Sequence, residues 1–299
     1  MPALKVAIGL LKLPELFDGD LKRCLAALKM ADDIGIDQVS ITDHIVMGEQ
    51  LDAYPYGQFP LPLTFPWYEP ISILSAIAAV TQRIRLSMGV LISPLRPAVL
   101  LAKQLATLDV LSNGRVDAGI GTGWQREEYA ATDIPFEERY LRMDEQLKVC
   151  RLLWSRAPAS FAGKTVAFEN LHAFPRPSQG DALPFWFGIA PTPRNSQRIA
   201  EFGEGWAPIT TNPDEIAAGT AAIRAAFAAA GRDPATLQVR ANLPVRLRDG
   251  KPDWNTTIAG LDAARAAGVT MLQVMPSQWC RHADELPAFY ARLAELKHA

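Results

Sequence analysis

A histidine follows an aspartate directly after an apolar run, at Asp43-His44. The preceding residues 38–42 have the β-branched, alternating character of a strand. An imidazole at a strand end can donate a hydrogen bond or exchange a proton near neutral pH, so His44 is the candidate catalytic residue. We expect the neighbouring Asp43 to point elsewhere, towards backbone amides or a ligand. The alternative for His44 is structural, as a cap for the next loop.

A glycine loop at Gly121-Thr122-Gly123 is a second candidate site. It follows a strand pattern at residues 116–120 and precedes a helix that begins near Trp124. Glycine lets a backbone approach a planar or anionic ligand closely, and the free N–H groups of a helix start favour an anion. The loop is not a dinucleotide-binding motif, because Arg126 stands where the third glycine is needed. A tight strand–helix turn without a ligand is the alternative.

Residues 188–194 form another strand-to-helix junction, with the sequence Gly-Ile-Ala-Pro-Thr-Pro-Arg. Backbone N–H groups at such a helix start, together with Thr192 and Arg194, suit a phosphate group. Thr192 is equally suited to be the N-cap of an ordinary helix. The sequence therefore leaves a phosphate site and a plain helix start as two interpretations of this junction.

Aromatic residues are concentrated in and after a long loop at residues 46–66. They are Tyr54, Tyr56, Phe59, Phe65, Trp67 and Tyr68. Such a loop can form a lid that stacks on a flat cofactor and excludes water, or its rings can pack the loop down or form a dimer interface. Trp124 and Trp279 also fall near strand ends. We predict a substrate pocket formed by Tyr54, Trp67, Trp124 and Trp279, with burial in the core as the alternative for the last two.

Strand and helix patterns alternate along the whole chain. The strand candidates are residues 4–10, 37–42, 84–92, 116–120, 185–188, 205–208, 237–243 and 270–275. The helix candidates are residues 20–34, 69–81, 97–111, 136–154, 193–202, 213–230, 256–267 and 283–296. Eight strand–helix pairs predict an α/β fold, a (β/α)8 TIM-like barrel with insertions, as one domain over residues 1–299. An open doubly wound sheet is the competing fold.

One insertion predicts an extra hairpin, and the composition argues against several classes of partner. Residues 160–177 alternate around a Gly-Lys turn and predict a small extra hairpin. The net charge of -2 gives no reason to expect nucleic acid or an anionic membrane as partner, and no apolar run is long enough to span a bilayer. Three scattered cysteines fit a cytoplasmic protein, and the four histidines, His298 among them, have no metal-ligand spacing.

Taken together, the motifs resemble the luciferase-like monooxygenase superfamily, especially its branch that depends on the deazaflavin coenzyme F420. The similarity covers about residues 4–210, and the last third is similar only in layout. The segments that carry it include residues 42–45, 69–72, 78–86, 89–91, 97–103, 108–114, 119–124, 136–139, 175–177, 184–188 and 203–206.

The resemblance implies a TIM-like barrel that binds FMN or the deazaflavin at the C-terminal rim. Asp43 and His44 then face the ring, where His44 hydrogen-bonds or shuttles a proton. A bulged third strand at Gly89-Val90-Leu91, in many relatives with a non-proline cis peptide, supports the ring face. By the same resemblance, Ser93, Thr122 and Gly123 hold the ring or ribityl chain, and Gly188, Ile189, Ala190 and Thr192 hold the phosphate.

Two departures bear on the substrate. Ile189 replaces the second glycine of many relatives, and Trp124 stands where sugar-phosphate dehydrogenases of the deazaflavin branch have a glutamate. The resemblance therefore predicts F420-dependent hydride transfer to or from a small, fairly apolar substrate. An FMN-dependent monooxygenase and a non-catalytic flavin-binding barrel are the alternatives. The expected partners are a small-molecule substrate and a second copy of the chain, without metal, nucleic acid or membrane.

Overall fold

The structure is a computed structural model that describes residues 4–297, and its parallel strands close into a barrel with eight strand positions. Residues 1–3 and 298–299 of the predicted domain, and with them His298, lie outside the described range. The strands are β1 Lys5–Gly9, β2 Gln38–Ile41, β3 Arg85–Met88, β4 Leu91–Ile92, β5 Val116–Gly121, β6 Ala159–Ala162, β7 Ala167–Leu171, β8 Phe185–Phe187, β9 Gly205–Trp206, β10 Gln238–Asn242, β11 Leu247–Arg248, β12 Lys251–Pro252 and β13 Met271–Val274. β3 and β4 share one of the barrel positions, and β6–β7 and β11–β12 are hairpins outside the barrel.

Helices follow the barrel strands and cover their outer surface. They are α1 Leu21–Ile34, α2 Pro70–Val80, α3 Ala98–Leu111, α4 Arg126–Ala131, α5 Arg139–Ser155, α6 Pro193–Phe202, α7 Pro213–Ala229, α8 Trp254–Ile258, α9 Leu261–Ala266 and α10 Leu286–Glu295. Between them and the strands lies one large apolar core that includes Ile8, Val39 and Leu86. No helix within residues 4–297 combines the length and the apolar character needed to cross a membrane.

The parallel pairings run in a closed circle. β1 pairs with β2 and with β13, β13 with β10, β10 with β9, β9 with β8, and β8 with β5. The pairs β2–β3 and β3–β5 complete the circle. This closure confirms the predicted (β/α)8 barrel and excludes the open doubly wound sheet.

The third barrel strand carries a bulge between β3 and β4. Ser87 pairs with Asp117 and Leu91 pairs with Ile120, so residues 88–90 lie opposite residues 118–119. A Cβ on Gly119 would collide with the carbonyl oxygen of Met88, and glycine therefore permits this close approach. The Gly89–Val90 peptide bond is cis.

Of three other segments, one follows the prediction and two differ from it. The predicted helix at residues 256–267 is two short helices, α8 and α9, which are separated at Gly260, a poor helix former. The hairpin predicted within residues 160–177 is present as β6 and β7. A second hairpin, β11–β12, was missed although Asp249 and Gly250 both have positive φ, as a tight two-residue turn requires.

Asp32, near the end of α1, ties this helix to the segment that leads into β3. Its buried carboxylate accepts hydrogen bonds from the backbone N–H groups of Gln82 (2.8 Å), Arg83 (2.9 Å) and Ile84 (2.6 Å). Burial by itself raises the pKa of Asp32, but these hydrogen bonds and the charge of Arg83 outweigh it and hold that pKa below its ordinary value.

Asp32→Ala should lower the free energy of unfolding by roughly 2–4 kcal/mol at neutral pH, because three backbone donors lose their acceptor. Because the pKa of Asp32 is lower in the folded state, its carboxylate stabilises the fold at pH values above the ordinary carboxyl pKa. This stabilisation is lost as the pH falls through the folded-state pKa. The difference between wild type and variant should therefore shrink in urea denaturation at about pH 3.

Asp33→Ala is the matched control, because it removes only an exposed pair with Lys29. It should change the free energy of unfolding by less than about 0.5 kcal/mol. An Asp32→Ala effect as small as that of the control at neutral pH would contradict the structural role of Asp32.

Candidate active site

A cavity of about 580 Å³ opens at the C-terminal ends of the barrel strands. Its position is the one where barrel enzymes place their chemistry. It brings together most of the residues predicted from the sequence, namely Asp43, His44, Tyr54, Trp67, Gly89, Val90, Thr122, Gly123, Trp124, Gly188, Ile189 and Ala190. The floor adds residues that sequence analysis did not select, among them Arg240, Asn242 and Gln273.

Three predicted site residues do not line this cavity. Ser93 is buried behind it, and its carbonyl oxygen accepts a hydrogen bond from Gln146 Nε2 (2.9 Å). Thr192 is the N-cap of α6, where its Oγ1 accepts from the Asn195 backbone N–H (3.3 Å), as the structural alternative predicted. Trp279 instead packs in a separate aromatic cluster, with its ring centroid 5.2 Å from that of Trp254.

His44 is held by a fully buried carboxylate. Its Nδ1 lies 3.1 Å from Glu128 Oε2, while the Ile45 backbone N–H donates to Glu128 Oε1 at 2.6 Å. A carboxylate only accepts hydrogen bonds, so Nδ1 carries the proton and Nε2 is the ring nitrogen left for other partners. His44 itself is only 8% exposed, so it is not the loosely packed rim residue that a loop position suggests.

Glu128 was missed by the sequence analysis. It follows Glu127 in α4, and Glu127 Oε1 accepts from the Gln50 backbone N–H at 3.0 Å nearer the surface. Neighbouring helix residues point about 100° apart, so one of two adjacent glutamates can face the core. The signal available in the sequence was the pair of acidic residues in the first turn of a helix that follows the glycine loop.

Asp43 is held by a buried ion pair with Arg96. Its carboxylate accepts from Arg96 Nη1 (2.7 Å) and Nη2 (3.2 Å), and from the Ile92 backbone N–H (2.9 Å). Arg96 also contacts Glu69 at 3.1 Å. Burial lowers the pKa of Arg96, but the hydrogen bonds and charges of Asp43 and Glu69 outweigh it and raise that pKa above its ordinary value. The expectation that Asp43 contacts backbone amides is met by Ile92.

The long loop after β2 is attached to the start of α4. The Gly48 backbone N–H donates to Gln125 Oε1 (2.9 Å), and Gln125 Nε2 donates back to the Gly48 carbonyl (3.0 Å). This two-way contact imitates backbone pairing. Together with the bonds from Glu127 and Glu128, it holds residues 44–50 against the rim.

Aromatic rings from this loop meet Trp124 above the cavity. The centroid of the Trp124 ring lies 5.2 Å from Tyr54, 5.5 Å from Phe59 and 6.2 Å from His44. Trp67 approaches the His44 ring most closely, at 4.6 Å. Burial in this cluster raises the pKa of the Tyr54 phenol. The rings form a continuous apolar roof over one side of the cavity.

Val90 of the bulge is seated between two glycines. A Cβ on Gly121 would overlap Val90 Cγ2, and a Cβ on Gly188 would lie 2.6 Å from Val90 Cγ1. Real Cβ contacts are essentially never that short, so both positions require glycine. The glycines that the sequence suggested for close approach of a ligand therefore make room, at least in part, for a side chain of the third strand.

No three His, Cys, Asp or Glu side chains of residues 4–297 form a cluster able to hold a metal ion. The cavity instead combines an oriented imidazole, an aromatic roof and a polar floor. Such a site can bind a flat organic molecule and move a proton at its edge.

The chain is similar to known proteins over nearly its whole length. A sequence model of the luciferase-like monooxygenase family matches residues 9–295, which extends the similarity past residue 210 into the C-terminal third. An uncharacterized protein of Mycobacterium tuberculosis H37Rv is 35% identical over 279 residues, covering 90% of this chain and 92% of that protein. The F420-dependent hydroxymycolic acid dehydrogenase of the same strain is 28% identical over 278 residues, covering 88% and 72% of the two chains.

Other similar proteins bear the names of monooxygenases. The FMNH2-dependent dimethylsulfone monooxygenase of Pseudomonas fluorescens is 35% identical over 113 residues, covering 37% of this chain and 31% of that protein. The crystal structure of the monooxygenase RslO1 from Streptomyces bottropensis superposes with a TM-score of 0.77 and 21% identity, covering 98% of both chains. At that identity the structural match shows the shared fold.

Glu128→Gln should switch the His44 tautomer. The glutamine oxygen can still accept from Ile45, but its NH2 group then faces Nδ1 and requires it to be an acceptor, which moves the proton to Nε2. Side-chain 15N NMR at about pH 8.5, where histidine is ordinarily neutral, distinguishes the two tautomers. His44→Gln identifies the signal by its loss. A His44 that stays protonated at Nδ1 in Glu128→Gln would rule out this role for Glu128.

Proposed function

Because the chain belongs to the luciferase-like monooxygenase family, we propose that its barrel cavity binds a flavin or deazaflavin and that the protein is an oxidoreductase. The observation that carries the proposal is His44, held by Glu128 at the wall of a cavity at the C-terminal rim. The expected substrate is a small, fairly apolar organic molecule, because aromatic rings rather than charges cover the cavity.

The cavity residues fit such a ring. Two buried polar atoms of its wall, Trp67 Nε1 and Gln273 Oε1, have no hydrogen-bond partner within the described chain. One is a donor and the other an acceptor. A flavin or deazaflavin ring offers both kinds of partner along its polar edge. Gly89 and Val90 of the bulge are partly exposed and line the cavity, where they supply a surface against which a flat ring can lie.

An anionic group of the cofactor can also be held in the cavity. Gly188, Ile189 and Ala190 line it, and so do Arg139 and Tyr140 at the start of α5. Arg139 contacts the Phe136 ring at 3.9 Å and donates to the Phe136 carbonyl at 3.0 Å. No carboxylate of residues 4–297 forms an ion pair with it, so its charge is available to a phosphate.

His44 is the residue we assign to proton movement. Since Glu128 engages Nδ1, Nε2 is the nitrogen that can give a proton to the substrate or take one from it. When bound, the flavin or deazaflavin supplies the hydride transfer to or from the substrate. The roof formed by Tyr54, Phe59 and Trp124 excludes water from this exchange.

We assign the cofactor as coenzyme F420, with reduced FMN as the alternative. The similarity to an F420-dependent dehydrogenase extends over 88% of the chain, whereas that to the FMNH2-dependent enzyme extends over 37%. The Asp43-His44 pair and the Gly121-Thr122-Gly123 loop, which belong to the resemblance to the F420-dependent branch, also favour this assignment. In the alternative, reduced FMN reacts with oxygen and the protein is a monooxygenase.

Coenzyme F420 should bind more tightly than FMN. Fluorescence titration with both cofactors, each in oxidised and reduced form, measures the four dissociation constants. Micromolar FMN affinity without detectable F420 binding would reverse the assignment to the monooxygenase alternative. If neither cofactor binds and the purified protein is colourless, the redox function itself is wrong and a non-catalytic barrel remains.

Trp124 should determine the polarity of the substrate. Its ring forms part of the apolar roof, at the position where a sugar-phosphate dehydrogenase of the deazaflavin branch has a glutamate. Trp124→Glu should weaken substrate binding at least tenfold, because it places a poorly paired charge in the roof. Trp124→Phe is the matched control and should keep most of the affinity.

The measurement is the dissociation constant of each variant for a substrate found by screening alcohols, ketones and aromatic compounds. Cofactor affinity, measured in parallel, separates a damaged cofactor site from a changed substrate site. Equal substrate affinities in the two variants and wild type would contradict the assignment of Trp124 to the substrate pocket. A preference for glucose 6-phosphate would contradict the apolar substrate class.

A further inference from the structure

A buried arginine forms part of the cavity floor on β10. Arg240 is 3% exposed, and its guanidinium donates to Gln38 Oε1 (2.5 Å), Ser87 Oγ (2.8 Å) and the Met88 carbonyl (3.3 Å). A Cβ on Gly89 would lie 3.4 Å from Arg240 Nη2. The cation therefore lies directly beneath the bulge, and each of these acceptors is neutral.

Arg240 forms no direct ion pair with a carboxylate of residues 4–297. The negative charge of Asp117 acts on Arg240 through space, and Gln38 links the two side chains, because its Nε2 donates to Asp117 Oδ2 at 2.7 Å. Asp117 is already paired with Arg85, through two hydrogen bonds of 2.8 and 2.6 Å. Arg85, Asp117 and Arg240 together carry a net charge of +1, and the further carboxylate that acts on this group, Asp109, acts on Arg85.

Arg240 stays charged under physiological conditions. Burial lowers its pKa to about 10, with the charge of Asp117 acting in the opposite direction. The guanidinium is therefore protonated at neutral pH. An isolated buried cation destabilises a protein unless something compensates it. In this chain the buried cation has three neutral hydrogen-bond acceptors, and it borders the cavity where the proposed function places a redox ring.

A flavin or deazaflavin ring gains negative charge in its pyrimidine part when it takes up two electrons and a single proton. A fixed cation near the pyrimidine part stabilises this reduced form more than the oxidised form, which lacks the added negative charge there. We propose that Arg240, as a fixed positive charge beside the cavity, favours the reduced cofactor and raises its reduction potential. The proposal rests on the proposed function, because it needs the ring to bind in this cavity.

Three variants separate the charge of Arg240 from its shape. Arg240→Gln removes the charge and keeps a hydrogen-bond donor, whereas Arg240→Lys keeps the charge and is the matched control. Asp117→Asn removes the balancing negative charge and leaves an oxygen to accept from Gln38. It should therefore change the potential in the opposite direction from Arg240→Gln.

The dissociation constants of oxidised and reduced cofactor are measured anaerobically for each protein, with coenzyme F420 and with FMN as probes. Arg240→Gln should lower the ratio of oxidised to reduced dissociation constant about tenfold, a drop of about 30 mV in the two-electron potential of the bound ring. Arg240→Lys should stay within about twofold of wild type, and Asp117→Asn should raise the ratio.

A ratio for Arg240→Gln equal to that of wild type, with both cofactor forms bound, would overturn the proposal. If Arg240→Gln does not fold, Asp117→Asn decides, and an unchanged or lowered ratio in that variant overturns the proposal. Failure of the proposed function has a different signature, because wild type would then bind neither form of either cofactor.

Discussion

Two buried contacts hold the two adjacent residues that follow β2, Asp43 and His44, and each contact is made with a different part of the chain. Asp43 is bound by Arg96, which follows β4, and His44 is bound by Glu128 of α4. Each contact is short and shielded from water, so breaking either would leave a buried charge without a partner. The position of His44 and the course of the loop that follows it depend on this pair of contacts.

The start of α4 positions both the aromatic loop at residues 46–66 and the imidazole of His44. Gln125 binds the backbone of Gly48, and Glu128 binds both His44 and Ile45. A displacement of α4 would therefore change the aromatic roof and the orientation of His44 together. Under the proposed function, this linkage couples the aromatic loop over the cavity to the placement of His44.

The barrel interior is built for electrostatics rather than for packing alone. Many barrels fill the interior with layers of branched apolar side chains. Here Ala7, Trp186 and Met271 form a small apolar cluster, while Arg240, Gln38 and Asp117 form a polar network in the same interior. The polar floor and the apolar roof give the cavity two chemically different faces, as the proposed function requires.

The sequence by itself determined the eight β/α units, and with them the rim that collects His44 and the glycine loop, because periodicity and strand ends are local properties. Only the tertiary structure decided which of two adjacent glutamates binds His44, that Trp279 packs away from the cavity, and that a buried cation lies at its floor. These depend on helix rotation and on contacts such as the one between Arg240 and Gln38, 202 residues apart in the chain. No local pattern specifies such contacts, since they follow from how the closed barrel packs.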